Sequence, residues 1–197
     1  MPDAVARPKN TSDIRKLVSF AVEQGIPLIP RAAGTSLAGQ VVGSGIIVDI
    51  SRYMTGILEL NTEEKWVRVQ PGVILDELNK YPEEDGLFFG AETSTSNRCM
   101  IGGMVGNNAC GAHSVIYGST RDHVISVKTV LSDGSEAEFG PMKGIHELEM
   151  KGRGNSLEAS IHRQVRKILS DPENQEEIRR EYPDPSIKRR NTGYAID

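Results

Sequence analysis

The stretch GAETSTSNRCMIGGMVGNNACGAHSVIYGS, from Gly90 to Ser119, limits this chain most, because little of it can become an ordinary packed helix or strand. Hydroxyls stand at Thr93, Ser94, Thr95 and Ser96, paired glycines at Gly102 and Gly103, amides at Asn107 and Asn108, and Gly111 is followed by His113 and Ser114. A segment of this length that served packing alone would repeat apolar residues with period two or 3.6, and here only Met100, Ile101, Met104 and Val105 do so. The remainder must face something polar. Neutral donors of this kind suit a long, flat, polar ligand laid along the backbone.

A second bare stretch, PRAAGTSLAGQ at Pro30 to Gln40, follows a short apolar strand, IPLIP. A strand that ends in a loop without side-chain bulk lets several backbone N–H groups converge on one oxyanion, and Thr35 and Ser36 add hydroxyl donors. The loop lacks GxGxxG, and no Gly-Lys-Ser/Thr follows, so it is neither the usual dinucleotide fingerprint nor a P-loop. A tight turn needs the same bareness, and the residues alone leave both readings open. A third small-residue segment, YGSTRD, runs from Tyr117 to Asp122.

Glycine is the one unusual entry in the composition: 20 of 197 residues, against ~7% in average proteins. A net charge of -4 offers no basic field for nucleic acid, and 5% aromatic residues do not make a stacking surface for single strands. The expected partner is a small molecule. Cys99 and Cys110 fit neither a metal CxxC spacing nor a disulfide framework, and no metal site is expected. With no signal peptide, they suggest a reducing, cytoplasmic location. No apolar run reaches the ~20 residues of a spanning helix, which leaves peripheral membrane attachment through another segment open.

Helical spacing of Ile14, Leu17, Val18, Ala21 and Val22, with Ser12 as N-cap and Gly25 as terminator, predicts a first helix. IPLIP and GIIVDIS read as strands on either side of the glycine loop, giving residues 1–60 a β-α-β-β character. KWVRVQPGV and VILDELNKY read as a strand and a short helix, and Asp133-Gly134 as a hairpin turn between VISVKTVLS and SEAEF. After Met142 two charged helical patterns follow. Ser156 is placed to cap LEASIHRQVRKIL, with Ile161, Val165, Ile168 and Leu169 as its apolar stripe, and Asp171-Pro172 to open the next. The class is α+β, in three stretches: an N-terminal lobe over 1–60, a larger mixed-sheet lobe over 61–142, and a helical part over 143–197. Both ends of the chain read as the edges of an excised domain.

Taken in order, PRAAGTSLAGQ, VQPGVILDELN, STSNRCMIGGMVGNNACGAHSVIYGSTRDHVISVKTVLSDG and RRNTGY resemble the FAD-binding domain of FAD-linked oxidases of the vanillyl-alcohol oxidase type (the PCMH-type domain), in particular the D-lactate dehydrogenase and glycolate oxidase branch. The resemblance implies a pyrophosphate-binding turn at Arg31 to Gly39, with Arg31, Ala33, Gly34, Thr35, Ser36 and Gly39 as its residues. It implies a turn beside the cofactor at Pro71-Gly72, and a run along pyrophosphate and flavin at Thr93, Ser94, Thr95, Ser96, Gly102, Gly103 and Asn107. Gly111, Ser114, Tyr117 and Gly118 would lie near the isoalloxazine and ribityl, Val124 to Val127 near the adenine, and Gly193-Tyr194 would return toward the cofactor. Relatives that bind flavin covalently through the glycine loop carry histidine where Thr35 stands, so the FAD is expected to be noncovalent.

The same resemblance implies oxidation of a lactate-like or glycolate-like 2-hydroxy acid, with the substrate bound through a C-terminal domain outside these residues and an iron-sulfur module as electron-transfer partner. No catalytic acid or base is assigned within the chain. Two other readings stand beside this one: a reductase of an enolpyruvyl sugar nucleotide on the same architecture, and a non-catalytic docking module. His113 reads first as a satisfied polar residue and second as a flavin contact. His123, His146 and His162 read as structural or exposed, and Cys99 as a packed thiol.

Overall fold

The structure, a computed structural model, describes residues 1–187 together with Arg189 and Ile196. Gly193 and Tyr194 of the RRNTGY motif lie outside the described residues.

Strand β1 (Ala4–Ala6) leads into helix α1 (Thr11–Gln24), then β2 (Leu28–Arg31) and β3 (Ile46–Asp49). All three strands are parallel, in the order β1-β3-β2, with Ala6 and Pro30 both opposite Val48. The central strand is the buried one, Ile46 to Val48 being 6–7% exposed. Parallel pairing places the C-terminal ends of all three strands at one sheet edge, and the glycine loop leaves from there. Asn10, not Ser12, caps α1: its side chain accepts from the Asp13 N–H at 3.0 Å, while Asp13 accepts in return from the Lys9 N–H at 3.0 Å. Ser12 already lies inside the first turn, so its backbone is helical and cannot take the cap conformation. Gly25 ends the helix in the left-handed conformation (φ 64) that glycine adopts without a Cβ penalty.

Two antiparallel pairs follow. β4 (Ile57–Asn61) pairs with β5 (Trp66–Val69) across a register shift between Ile57 and Glu59. β6 (Val127–Val130) pairs with β7 (Glu136–Phe139) across the Asp133-Gly134 turn, where Gly134 has φ 79. Arg15 fastens this hairpin to α1, its Nε donating to the Gly134 carbonyl at 3.0 Å and its guanidinium pairing with Glu136 at 3.4 Å. Between the pairs lie α2 (Leu75–Lys80), α3 (Ile101–Asn107) and the single turn α4 (Ser114–Tyr117). Val73, Leu75, Leu78, Cys99, Ile101, Met104 and Ala109 form a buried core beneath α2 and α3, with Ile57, Val67, Val69, Phe89 and Val105 packed against it. Cys99 is thus a packed thiol, 4% exposed.

The C-terminal part holds α5 (Ile145–Lys151), α6 (Leu157–Leu169) and α7 (Pro172–Glu181), one helix more than the sequence pattern indicates. Ser156 caps α6, accepting from the Ala159 N–H at 3.1 Å, and Asp171 caps α7 ahead of Pro172. The buried residues of α6 are Ala159 and His162, whereas Val165 and Ile168 stay 41% and 51% exposed. His162, 2% exposed, lies tilted against Phe139 with ring centroids 5.6 Å apart. Its Nε2 has no hydrogen-bond partner, and Glu158 Oε1 stands 3.7 Å away. Among the described residues no helix is long and apolar enough to cross a membrane.

Candidate functional site

Where β2 ends, the chain leaves the sheet edge as a loop with almost no side chains. The Ile50 N–H donates to the Arg31 carbonyl at 3.1 Å, so the loop starts from a fixed point. Gly34 has φ 69, and a Cβ built there would lie 2.8 Å from the Nε of Arg31, which shows the guanidinium folded against the loop backbone. Among the described residues the N–H groups of Ala33, Gly34, Thr35 and Ser36 have no hydrogen-bond partner. Four successive unpaired donors beside a guanidinium make a ready seat for a polyanion.

Asp49, at the end of β3 and opposite Arg31, adds a fixed negative charge. Burial pushes its pKa up, but hydrogen bonds from the Ser51 hydroxyl and N–H, and the Arg7 guanidinium at 3.4 Å, outweigh burial and hold the carboxyl below its ordinary value.

The loop rests on α3, and glycines make that seating possible. A Cβ on Gly103 would stand 3.2 Å from the Ala32 Cβ. Gln40 donates to Ser36 Oγ at 2.6 Å and reaches Asn107 Oδ1 at 3.5 Å. On the other side, Gly102 donates its N–H to the Pro71 carbonyl at 2.8 Å, so close that a Cβ would come 2.5 Å from the Pro71 Cβ. Gly72 is likewise pressed on the Met54 and Ile50 carbonyls. Arg31 to Gln40, Pro71-Gly72 and α3 therefore form one continuous surface in which backbone replaces side chains.

The hydroxyl run leads into α3. Thr93 bonds Thr95 at 3.1 Å and the Cys99 thiol at 3.3 Å, which ties the run to the core under α3. Ser94 is exposed, and Thr95 and Ser96 are half-buried. The Gly111 N–H donates to the buried Ser114 hydroxyl at 3.0 Å, and a Cβ on Gly111 would fall on the Glu92 carbonyl oxygen. At this crossing His113 Nδ1 meets Glu92 Oε2 at 2.9 Å. Asn108, left-handed at φ 45, accepts from the Arg121 N–H, and Thr120 donates to the Ala109 carbonyl at 2.6 Å. Tyr117 stands edge-on to Phe88 at 5.2 Å, and Gly118 (φ 84) turns the chain against Asp122.

Of the residues read as cofactor-binding, the contacts join the loop that holds Arg31, Ala33, Gly34, Thr35, Ser36 and Gly39 to Pro71, Gly102, Gly103 and Asn107, while Thr93, Ser94, Thr95 and Ser96 lead into α3 and Gly111, Ser114, Tyr117 and Gly118 follow it. Val124, which closes a 3-10 turn, and Val127, which opens β6, have no hydrogen bond to the loop. Ala32, Gln40 and Glu92 were not singled out, and the structure sets Ala32 against Gly103, Gln40 between Ser36 and Asn107, and Glu92 against His113. The first two lie within the quoted loop, but their roles depend on α3, which local sequence does not bring near. Among the described residues no three His, Cys, Asp or Glu cluster to hold a metal.

Residues 2–140 match the family of FAD binding domains. The chain is 40% identical over 181 residues to D-2-hydroxyglutarate dehydrogenase of Escherichia coli (strain K12), covering 87% of this chain and 18% of that one. It is 37% identical over 141 residues to glycolate oxidase subunit GlcD of Bacillus subtilis (strain 168), covering 71% and 30%. Among solved structures, xylooligosaccharide oxidase from Myceliophthora thermophila C1 superposes with a TM-score of 0.63 at 27% identity, over 71% of this chain and 30% of that one. The chain thus spans about a fifth of the dehydrogenase it matches. With the ordered motifs, the bare loop and these matches in agreement, the chain belongs to the FAD binding domain family.

Proposed function

We propose that the chain holds FAD noncovalently along the surface of loop 31–40, α3 and segment 92–118, and serves as the flavin domain of an oxidoreductase acting on a 2-hydroxy acid. The four unpaired N–H groups of Ala33 to Ser36 beside Arg31 carry this reading, because a pyrophosphate supplies the acceptors and the charge that they lack. The residues fit the group: Gly34, Gly102 and Gly103 let the Arg31 guanidinium, Pro71 and Ala32 approach closely and so hold the bare loop on α3, Thr93 to Ser96 add hydroxyls, and Thr35 offers no atom for a histidyl-flavin bond. Bound FAD would supply the hydride acceptor, while the protein orients it, neutralises its charge and keeps water away. Arg31 and the loop N–H groups would take the pyrophosphate charge, and the Thr93-Thr95 pair would fix the hydroxyl edge.

The names of the related dehydrogenases and oxidases support a 2-hydroxy acid as substrate, with 2-hydroxyglutarate the first to try. An iron-sulfur module is the proposed next electron acceptor, and it would bring its own ligands, since two cysteines cannot build a four-thiolate cluster.

A fluorescence titration with FAD, with ADP as competitor, tests the reading. One-to-one saturation that ADP competes away, lost in Gly34→Val with the fold retained, is the expected result. Unchanged FAD affinity in Gly34→Val would remove the loop from the site, and no binding by the native chain would leave a docking module as the better description.

A further inference from the structure

We propose that the groove between α2 and the loop after it is a docking site for a basic amphipathic segment of a partner protein. The inference does not rest on the FAD reading, since none of the residues lining the groove belongs to the surface proposed for the cofactor. The groove has a volume of about 460 Å³; Asp76, Asn79 and Lys80 line it from α2, and Glu83, Leu87 and Phe88 from the loop. Its shape is fixed in advance. The Phe89 N–H donates to Asn79 Oδ1 at 2.8 Å and ties the end of the loop back to α2. The Leu87 N–H donates to the Pro82 carbonyl at 3.2 Å around Gly86, which is left-handed at φ 67. The Phe88 ring stands edge-on to Tyr117 at 5.2 Å, yet it stays 57% exposed. Covering such a ring is favourable, and because its neighbours are already placed, little further ordering opposes it.

Charge identifies what covers it. Residues 76–88 carry five carboxylates, Asp76, Glu77, Glu83, Glu84 and Asp85, against Lys80 alone, a net charge of -4. That equals the charge of the whole chain, so the rest of the sequence is balanced and the entire imbalance sits at this groove. None of the five carboxylates makes an ion pair among the described residues. Such a field repels nucleic acid, an anionic lipid surface and a second copy meeting it groove to groove. It attracts a segment whose lysines or arginines flank an apolar anchor, with the anchor on Leu87 and Phe88 and the cations beside Asp76 and Glu83.

The probe is a fluorescein-labelled amphipathic peptide of lysine and leucine, with a glutamate-leucine peptide of the same pattern as its counterpart, followed by anisotropy at rising salt. The native chain should bind the lysine peptide one-to-one, lose affinity as salt rises, and leave the glutamate peptide free. Phe88→Ser should weaken binding about tenfold, as expected of a central aromatic anchor. Glu83→Lys combined with Glu84→Lys should also weaken it about tenfold and flatten the salt dependence. Glu176→Lys combined with Glu177→Lys, the same change of charge on α7, should leave it as it was. Glu83 and Glu84 are exposed, so their double variant keeps the fold should Phe88→Ser lose it, and its FAD titration should match the native one. Amide signals of Gly86 to Phe88 should move with the lysine peptide. No saturable binding, equal losses in the two charge-reversed variants, or native affinity in a folded Phe88→Ser would each overturn the proposal. So would a concentration-dependent dimer that Phe88→Ser abolishes, which makes a second copy the occupant. Peptide binding that appears only after Lys188, Arg189 and Arg190 are changed to glutamate would overturn it too, in favour of the chain's own basic segment. None of these outcomes bears on FAD binding.

Discussion

Helix α3 carries glycine at 102, 103 and 106, and substituting alanine at each should have three different effects. In a helix interior the change from glycine to alanine is worth ~0.5–1 kcal/mol through lost backbone entropy. At Gly106 nothing lies within 4 Å of a new Cβ, so the gain should appear in full. For a chain of this size, 1 kcal/mol corresponds to roughly 2–4 °C in Tm. At Gly102 the Cβ would sit 2.5 Å from the Pro71 Cβ and 3.0 Å from its carbonyl oxygen. Ordinary carbon contacts fall at ~3.5–4.0 Å, so the helix or the turn must move by about 1 Å. The obstacle is proline ring and backbone, which cannot rotate aside, and the move would stretch the hydrogen bond from the Gly102 N–H to the Pro71 carbonyl. Overpacking at ~1–3 kcal/mol and a hydrogen bond at ~1 kcal/mol, less the helix gain, leave a net loss of roughly 1–3 kcal/mol. At Gly103 the neighbour is the Ala32 Cβ at 3.2 Å, a contact tight by a few tenths of an ångström. Stability should change by less than ~0.5 kcal/mol there, the helix gain offsetting the contact, while FAD affinity falls because Ala32 sits in the loop proposed to hold the pyrophosphate. Urea unfolding of the three variants with a common slope supplies the stabilities, and flavin titration the affinities. If all three shifted together, helix propensity alone would explain the data and the account of α3 as a close-approach surface would be wrong.

Three other outcomes follow. Replacing His162 with leucine removes a buried nitrogen that lacks a partner, worth ~1–3 kcal/mol, against some lost contact with Phe139, so the urea midpoint at neutral pH should hold or rise; a fall of more than ~1 kcal/mol would show that Nε2 is satisfied after all. The depressed pKa of Asp49 means that its stabilisation is present above the ordinary carboxylate range and fades as pH falls through the lowered folded value. Asp49→Asn should therefore flatten the acid limb of the stability-pH curve and leave the curve above neutrality parallel to the native one; an unchanged acid limb would exclude the carboxylate. Ser156→Ala and Asp171→Ala each remove a helix cap and should cost ~1 kcal/mol by denaturant unfolding, with unequal slopes as the sign that α6 and α7 melt apart from the rest.

Features that depend on neighbouring residues were legible in advance. The Gly25 stop, the Asp133-Gly134 hairpin, the Ser156 cap and the Asp171-Pro172 start each use chemistry held within a few positions, and each stands in the structure. Helix α5 was missed because it starts from Gly144 with no side-chain cap, so no capping residue announces it. The α6 stripe was misjudged because periodicity identifies an apolar face without saying what covers it: Ala159 and His162 turn inward, and Val165 and Ile168 do not. Ser12 was read as the cap where Asn10 takes that place, since both residue types cap helices and only backbone geometry separates them. In the candidate site, the sequence showed that backbone must be bare at Gly34, Gly102 and Gly103. It did not show which surface each glycine admits, because Pro71 and Ala32 reach α3 only through the fold. Glu92 went unnoticed for the same reason: its partner lies across a backbone crossing.

The Arg15 clamp on the β6–β7 turn has a kinetic consequence. Its hydrogen bond to Gly134 joins residues 119 positions apart, whereas β1 and β3 meet across 42. Closing the longer loop costs about 0.9 kcal/mol more in chain entropy, and on the ribosome it must also wait until Gly134 has emerged. The three parallel strands and α1 can therefore pair while the rest is still being made, leaving the Arg15 face of α1 open in the interval. A nascent chain would pass through a stage in which the glycine loop at 31–40 has its sheet but not α3, so cofactor capture by the proposed site belongs late in synthesis, after the hydroxyl run and α3 have been translated.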